Sequence, residues 1–276
     1  MPVRCDKARA GFPAGPLSRY RRPVVGSVLH VALVAAAGFV GGAMNALAGG
    51  GTFATLPSLL AIGLPANIAN ATSNVALLPG AATSAWAFRD ELGPLAGVPV
   101  ATLAAITFAG GLVGSLLLVM TPSHAFDVII PWLVLYAFVV LAFGKRAAAW
   151  LHERITIGRR TLLTAQALLG VYGGYFGGGV GLMTTATYGL LAGHTPRELF
   201  APRTLMLAIA NAAAAIVFVV AGMVAWASCL PMMAGAILGG WAGARVGKVL
   251  PAPAVRVWTL LVTGVTTVVF FWRAYH

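Results

Sequence analysis

The chain has 276 residues, of which 59% are hydrophobic and 9% are charged, and its mean hydropathy is +0.90. Soluble domains carry about 25% charged residues, so this composition excludes a water-soluble globular domain and predicts an integral membrane protein. The net charge of +12 does not predict a nucleic-acid partner, because the basic residues cluster in short segments that flank apolar runs, as in membrane proteins.

Residues 1–23 form a basic arm ahead of the first apolar run, which begins at Val24. An arm of this kind followed by an apolar run is typical of a signal peptide, and Arg21-Arg22 weakly matches a twin-arginine signal. The run leads directly into a glycine-rich element that recurs later in the chain. We therefore expect it to be a retained first helix.

Residues 24–144 form a first predicted transmembrane repeat. Its apolar runs are continuous, as in membrane-spanning helices and unlike the alternating pattern of a β-barrel. A glycine-rich break, GGGTF from Gly49, interrupts the first run, and Gly63-Leu64-Pro65 predicts a turn. The predicted helices cover about residues 24–48, 52–62, 65–88, 95–120 and 127–144.

Residues 145–160 form a basic linker between the repeats. Its basic residues are Lys145, Arg146, Arg154, Arg159 and Arg160. Basic residues in short segments next to membrane spans favour the cytoplasmic side. The arm and the linker are therefore both expected in the cytoplasm, which places the N-terminus on that side.

Residues 161–276 form a second predicted repeat. Its break reads GGGVGL from Gly177, and a shift of 130 residues aligns Gly49 with Gly179 and Asn74 with Thr204. The predicted helices cover about 161–176, 182–192, 195 onwards, 226–247 and 254–272, with a turn at Gly193-His194. Repeated, glycine-interrupted apolar segments are typical of transporters, because unwound backbone at membrane depth must line a cavity or be buried in protein.

The predicted fold is an all-α integral membrane protein with about eight transmembrane helices in two homologous halves. The segments after the breaks hold about 11 residues, or ~17 Å of helix, which is too short to cross alone. This leaves about four crossings in each half, an even count that agrees with a cytoplasmic linker. Five crossings per half would instead form an inverted repeat and place the linker outside, so we favour the even count.

The sequence has no signature of catalysis. The motifs HExxH and GxSxG are absent, the five histidines are scattered, and Cys5 and Cys229 have no metal-type or disulfide spacing. The G-x-G at Gly177 lacks the third glycine and the soluble strand–helix context of a dinucleotide site. We therefore expect neither an enzyme nor a bound cofactor or metal.

Polar residues within the apolar runs are the candidates for a substrate site, because each is costly in lipid unless it faces protein or water. Asn67, Asn70 and Asn74 share one helix face, with Thr72 and Ser73 beside them. The alternative is that these groups hold helices together. Their position directly after a break and a turn favours the lining of a cavity.

Arg203 lies in the matching region of the second half, with Thr204 beside it and Asn211 two turns later. A guanidinium at membrane depth is costly, and it offers paired donors to carboxylate, sulfonate or sulfite oxygens. The alternatives are a salt bridge to Glu198 and snorkelling to the interface. The six acidic residues lie near the ends of spans or in the arm, which disfavours a cation pathway.

Three stretches carry a resemblance to a known family: NALAGGGTF from Asn45, GLPANIANATSNVAL from Gly63 and VYGGYFGGGVGL from Val171. They resemble the sulfite exporter TauE/SafE family of membrane permeases. The resemblance covers nearly all of the chain after the arm. It implies a multi-pass transporter of the bacterial inner membrane that carries sulfur-containing anions such as sulfite or organosulfonates.

The resemblance also implies a set of substrate-binding residues. They are Asn45, Gly49, Gly50, Gly51, Asn70, Thr72, Ser73 and Asn74 in the first half and Tyr175, Gly178, Gly179, Gly181, Arg203 and Thr204 in the second. Asn211 joins this set as a further polar residue of the Arg203 helix. The sequence departs from the family at Arg203-Thr204, where Lys-Asn is expected, so the positive charge is kept and an amide is lost.

We therefore expect a secondary transporter that binds a small anion between the two breaks, with the lipid bilayer as its surroundings. The break glycines could supply amide donors to the anion, and they could equally allow close helix packing. An anion channel and a non-transporting scaffold that packs with a partner protein are the alternatives. The sequence leaves the oligomeric state open, including a homo-oligomer.

Overall fold

The computed structural model describes residues 28–95, 97–152, 159–192, 199–247, 250 and 252–275. These residues form ten α-helices and a short 3-10 turn at Arg89–Glu91. The helices are α1 (Val28–Ala48), α2 (Thr52–Ala61), α3 (Ala66–Ala87), α4 (Val100–Met120), α5 (Ser123–His152), α6 (Arg159–Tyr175), α7 (Val180–Ala192), α8 (Phe200–Val220), α9 (Trp226–Gly247) and α10 (Ala252–Tyr275). The predicted all-α class is confirmed.

Six of the described helices are long and apolar enough to cross a membrane: α1, α4, α5 over Ser123–Gly144, α8, α9 and α10 over Pro253–Tyr275. Helix α3 is as long, with 22 residues, but its asparagines, serines and threonines lower its hydropathy. Helix α6 has only 17 residues. Length and composition alone thus identify a multi-pass protein with six such helices, not the predicted eight.

One predicted boundary differs from these helices. Helix α5 continues to His152, so the first half of the predicted linker is helical. The predicted turn at Gly193-His194, the helix start at Thr195 and the whole arm lie outside the described residues.

Helices α1 and α9 run side by side in the same direction. Near their starts, His30 Nε2 lies 3.2 Å from Ser228 Oγ, within hydrogen-bond distance. Near their ends, Gly247 of α9 packs against the Leu47 side chain of α1. Contacts between start and start, and between end and end, define a parallel pair.

Helix α3 also runs parallel to α9. The Ala225 amide, just before α9, donates to Thr72 Oγ1 over 3.0 Å, and Gly80 further along α3 packs against Ala236 further along α9. Because α1 and α3 therefore point the same way, the short helix α2 returns the chain between them. Four crossings per half would require α1 and α3 to be antiparallel, so that prediction is wrong: α2 has only 10 residues, but with its flanking turns it reverses the chain.

The starts of α3 and α5 lie at the same end of the molecule as the end of α10. The Ala66 amide at the start of α3 donates to Ser123 Oγ at the start of α5 over 3.0 Å. Trp132 Nε1, in the early part of α5, donates to the Tyr275 hydroxyl at the end of α10 over 3.0 Å. We call this end of the molecule, where α1 also begins, the arm end.

Helix α6 begins at the opposite end, which we call the linker end. It runs parallel to α4, because Gln166 is hydrogen-bonded to Thr107 and, later on both helices, Tyr175 packs against Gly114. Helix α4 itself starts at the linker end, since it joins the end of α3 to the start of α5. The first helices of the two predicted repeats, α1 and α6, therefore begin at opposite ends of the molecule. This does not fit the predicted placement of the arm and the linker on one side, although the arm itself lies outside the described residues.

Exposed tryptophans mark two levels along the helices. Trp132, Trp226 and Trp272 lie towards the arm end, and Trp86, Trp241 and Trp258 lie towards the linker end. Tryptophan is enriched at both membrane–water interfaces, where its ring sits among the lipid headgroups. The two groups agree with helices that span the bilayer from one end of the molecule to the other.

Glycines allow two pairs of helices to pack at backbone distance. They are Gly38 and Gly42 of α1 against α9, Gly235, Gly239 and Gly243 of α9 against α1, Gly110 and Gly114 of α4 against α6, and Gly170 and Gly174 of α6 against α4. A Cβ atom on any of them would lie 3.0 Å or less from backbone atoms of the facing helix. Small residues spaced four apart permit such close contact between membrane helices.

Candidate functional site

The first break separates α1 from α2. Helix α1 ends because Gly49 has φ of +79°, a left-handed conformation that costs other residues about 1–2 kcal/mol. The Asn45 side chain holds the break in shape, since its Oδ1 accepts a hydrogen bond from the Gly51 amide over 2.7 Å. Gly51 is the N-cap residue of α2, and the helix provides no acceptor for amides at its start.

The second break separates α6 from α7. Gly177 has φ of +74° and Gly179 has φ of +77°, so this break turns twice through the left-handed region. The Gly178 carbonyl accepts a hydrogen bond from the Tyr172 hydroxyl over 2.8 Å, and Gly178 packs on the Phe176 ring. Gly49 and Gly179, which the 130-residue shift aligns, thus share one backbone conformation.

The two breaks touch. A Cβ atom on Gly49 would lie 2.5 Å from the Gly181 Cα, and one on Gly181 would lie 2.7 Å from the Gly49 Cα. Gly50 packs against Leu182, and the Phe53 ring lies against both Gly50 and Gly179. The glycines of the two halves therefore form one junction in the interior, which we call the break junction.

Arg203 of α8 lies beside the break junction. Its side chain is 6% exposed, so its guanidinium does not snorkel to the surface. Its Nη2 donates to the Ala46 and Leu47 carbonyls over 3.3 and 3.4 Å, and its Cγ lies 3.3 Å from the point where a Cβ of Gly181 would stand. Glu198, the alternative salt-bridge partner, lies outside the described residues.

Arg203 contacts backbone carbonyl groups and an aromatic ring. The Ala46 and Leu47 carbonyls belong to the last turn of α1, where carbonyls lack helical partners and carry partial negative charge. The guanidinium carbon also lies 4.2 Å from the centroid of the Phe200 ring, a cation–π distance. Such partners offset part of the charge.

Three asparagines lie beside the second break. Asn70 Nδ2 donates to the Tyr175 carbonyl, at the end of α6, over 3.1 Å. Asn74 Nδ2 lies 3.4 Å from Asn211 Oδ1 of α8, and a Cβ on Gly177 would lie 2.8 Å from that same Nδ2. The amides thus join α3 to α6 and α8, which agrees with the alternative that these groups hold helices together. They do so directly against the second break.

Other predicted site residues have partners of their own. Thr72 Oγ1 accepts from the amide before α9, and Ser73 Oγ lies 2.5 Å from Thr55 Oγ1. The Tyr175 hydroxyl lies 3.3 Å from a threonine hydroxyl at the end of α4. Thr204 donates to carbonyls of its own helix. The first three contacts join helices around the junction, whereas Thr204 bonds within α8; the predicted substrate contacts of all four stay predictions.

Sequence reasoning missed several residues of this region. Thr55 is the partner of Ser73, Phe53 packs on both breaks, and Thr266 of α10 donates to the Phe53 carbonyl over 3.3 Å. A threonine or phenylalanine in an apolar run gives no signal of such a role. Buried Gln166 links Thr107 to α7 through the Tyr188 hydroxyl, and a lone glutamine in a span was a signal that could have been used.

Three buried polar atoms at the junction have no hydrogen-bond partner: Arg203 Nε, Asn70 Oδ1 and Asn74 Oδ1. A buried donor or acceptor without a partner costs about 1–3 kcal/mol. All three of these atoms belong to side chains that contact the residues around the two breaks. The set consists of one cationic donor and two neutral acceptors.

These features define the class of the protein. It is an all-helical, multi-pass membrane protein, and its two interrupted helices meet in the interior beside a buried charge, as in membrane transporters. The chain belongs to the TauE/SafE family: the sequence profile described as "Sulfite exporter TauE/SafE" matches residues 34–270.

Relatives of similar length carry names of the same kind. The chain is 28% identical over 239 residues to a "Probable membrane transporter protein" of Haemophilus influenzae, covering 84% of this chain and 92% of the relative. It is 30% identical over 220 residues to "Probable membrane transporter protein ORF9" of Sinorhizobium sp, covering 78% and 82%. It is 28% identical over 225 residues to "Probable membrane transporter protein YfcA" of Escherichia coli K12, covering 81% and 80%. No solved structure matches the chain.

Proposed function

We propose that the protein is a secondary transporter of a small sulfur-containing anion, such as sulfite or an organosulfonate, which binds at the break junction. The observation that carries the proposal is Arg203: it is 6% exposed, its Nε has no partner and it lies against Gly181. A buried guanidinium with a free N–H favours an oxyanion, because charge and hydrogen bond are satisfied together. The family description, a sulfite exporter, supports the same class of cargo.

We further propose that residues 24–144 and 161–276 are repeats of inverted topology. The packing of α1 on α9 and of α4 on α6 supports this, since in each pair the first helix of one half lies on the fourth of the other. The end of each broken helix is likewise held by a helix of the other half. Arg203 of α8 holds the end of α1, and Asn70 of α3 holds the end of α6.

These contacts between the two halves suggest how the site would open to each side of the membrane in turn. Each break is tied to the third helix of the other half, so a rocking of one half against the other moves both breaks at once. Transporters with inverted repeats work in this way around a site near the bilayer midplane. An anion that competes with the α1 carbonyls for Arg203 would loosen one of the two ties.

We also propose that the protein lies in the bacterial inner membrane with its linker end in the cytoplasm. By their place in the sequence, ten basic residues flank helices at the linker end: Arg89, Lys145, Arg146, Arg154, Arg159, Arg160, Arg197, Arg245, Lys248 and Arg256. Seven flank the arm end: Arg273 and the six of the arm. The positive-inside rule favours the richer end. The N-terminus would then face outside, in contrast to the prediction from the arm alone.

Labelling of the native Cys5 tests this orientation. A membrane-impermeant maleimide is expected to label Cys5 in intact spheroplasts, whereas a cysteine introduced at Glu153 in the linker should react only after the membrane is permeabilised. The second native cysteine, Cys229, is fully buried and should stay silent in both. The reverse pattern would place the linker end outside.

Flux into proteoliposomes tests the function. The purified protein is expected to accumulate radiolabelled sulfite against its concentration gradient when a membrane potential or pH gradient is imposed, and an organosulfonate in excess should inhibit this uptake. Passive leak without accumulation would instead indicate an anion channel. Absence of any flux from vesicles that contain folded protein would indicate a scaffold.

A further inference from the structure

Asn70 presents a buried oxygen whose chemical identity is fixed by its surroundings. Only the Nδ2 group of the side chain can donate to the Tyr175 carbonyl, and it does so over 3.1 Å. The other atom is therefore the amide oxygen, an acceptor that cannot donate. This oxygen is fully buried and has no hydrogen-bond partner.

Asn74 presents a second buried oxygen without a partner one turn later on the same face of α3. Its Nδ2 points to Asn211 Oδ1 at 3.4 Å, its side chain is 2% exposed, and its Oδ1 is also unpartnered. Residues four apart on a helix are neighbours on its surface. Two vacant acceptors thus stand together, and Asn74 lies against Gly177 of the second break.

The junction therefore contains vacant groups of two opposite kinds. Arg203, which lies against Gly181 of the second break, offers a cationic donor, and the asparagines beside Gly177 offer acceptors. A bare oxyanion such as sulfate has acceptors only. It would satisfy Arg203 and leave both amide oxygens unpartnered or repelled by its own negative charge.

From these vacant donor and acceptor groups we infer that the transported anion carries its own hydrogen-bond donor, and that Asn70 and Asn74 select the anion by accepting a hydrogen bond from that donor. The class is that of sulfur oxyanions with an O–H or N–H group, such as hydrogen sulfite or a hydroxyalkyl or aminoalkyl sulfonate. The inference rests on the proposed function, because it assigns the specificity of that same site. Asn70 and Asn74 are specificity-determining residues, while Arg203 supplies charge recognition.

A matched pair of sulfonates tests the inference: 2-hydroxyethanesulfonate carries a hydroxyl that ethanesulfonate lacks. Wild-type protein in proteoliposomes is expected to transport the hydroxylated compound about tenfold faster or more at subsaturating concentration, the effect of one hydrogen bond to a buried acceptor. The sign of the difference is decisive, because a passage without vacant acceptors would favour ethanesulfonate, whose burial requires no dehydration of a hydroxyl.

Variants of α3 locate the effect. The transport ratio of the two sulfonates should fall towards one in Asn70→Leu and in Asn74→Leu. It should be kept in Asn67→Leu, the matched control on the same helix, because the Asn67 oxygen already accepts from the Ile68 amide over 2.9 Å. A ratio within one variant does not depend on how much of that variant folds.

The outcomes separate the inference from the proposed function. Equal transport of both sulfonates by wild-type protein, or preference for ethanesulfonate, overturns the inference and leaves the transporter intact. Transport of sulfite with neither sulfonate restricts the class to hydrogen sulfite; the inference is then kept if Asn70→Leu and Asn74→Leu reduce sulfite flux relative to Asn67→Leu and is overturned if they do not. Absence of flux for sulfite, 2-hydroxyethanesulfonate and ethanesulfonate from vesicles that contain folded protein overturns the proposed function as well. A preference that survives in both leucine variants assigns selection to other residues and removes Asn70 and Asn74 from that role.

Discussion

Substitution of Arg203 by methionine is expected to reduce sulfite transport about a hundredfold or more. Methionine keeps much of the apolar stem and removes the charge together with all guanidinium donors. Truncating one partner of a buried, charged hydrogen bond costs about 2–5 kcal/mol, and here the lost partner is the only buried charge beside the break junction among the described residues. Proteoliposome uptake measures the loss.

The stability of the Arg203→Met protein separates binding from a structural role. Removal of an incompletely paired buried charge relieves its desolvation cost, which offsets the loss of two long hydrogen bonds to the end of α1. We therefore expect a Tm in detergent close to that of the wild type. Sulfite should raise the Tm of wild-type protein through binding to the folded state and should leave the variant unchanged.

Arg256 provides the matched control. It too donates from Nη2 to the carbonyls of a neighbouring helix, to Leu141 over 3.3 Å and to Ala142 over 2.9 Å, but it lies near the start of α10 at the linker end. Arg256→Met should keep transport and the Tm response to sulfite. Full transport by a folded Arg203→Met protein would show that the anion binds elsewhere.

The glycine breaks and the candidate side chains could be predicted from the sequence because they depend on local chemistry. Three consecutive glycines in an apolar run favour a break in the helix, and Gly49, Gly177 and Gly179 do adopt left-handed conformations. Asparagines spaced four apart share a helix face in any packing, so Asn70 and Asn74 could be grouped before their surroundings were known.

The number of passes could not be predicted from the same signals. Helix α2 has 10 residues, so an assignment based on length and hydropathy does not count it as a membrane-spanning helix. Its contribution is the reversal of direction between α1 and α3, which becomes visible only through contacts with α9. The charge clusters were misleading for a related reason, since the arm and the linker are both basic and the sequence does not show that they flank opposite ends.

The partners of the polar side chains were equally hidden. Arg203 donates to carbonyls more than 150 residues away in the chain, and Thr72 accepts from the amide before α9. Neither contact follows from spacing, because both depend on which helices pack together. The sequence therefore predicted candidate polar residues near the breaks, and the fold decides which of them keep an atom without a hydrogen-bond partner.

Substitution of Gly49 by alanine is expected to destabilise the protein and stop transport. Two effects contribute, backbone strain and steric overlap with the second break, and the same substitution at Gly63 separates them. Gly49 has φ of +79° and Gly63 has φ of +89°, so alanine at either position must adopt a left-handed conformation that costs about 1–2 kcal/mol. At Gly49 the new Cβ would in addition lie 2.5 Å from the Gly181 Cα, whereas at Gly63 nothing lies within 4 Å.

The overlap at Gly49 can be relieved only if the two breaks move apart, because both partners are backbone atoms. Forced overpacking costs about 1–3 kcal/mol beyond the backbone strain, so Gly49→Ala should lower the Tm about twice as far as Gly63→Ala. Gly63→Ala should retain transport, while Gly49→Ala should lose it even below its Tm, since separated breaks no longer present Arg203 and the asparagines to one anion. Equal Tm shifts and equal transport in the two variants would show that strain in the backbone acts alone, and that contact between the breaks is not what assembles the site.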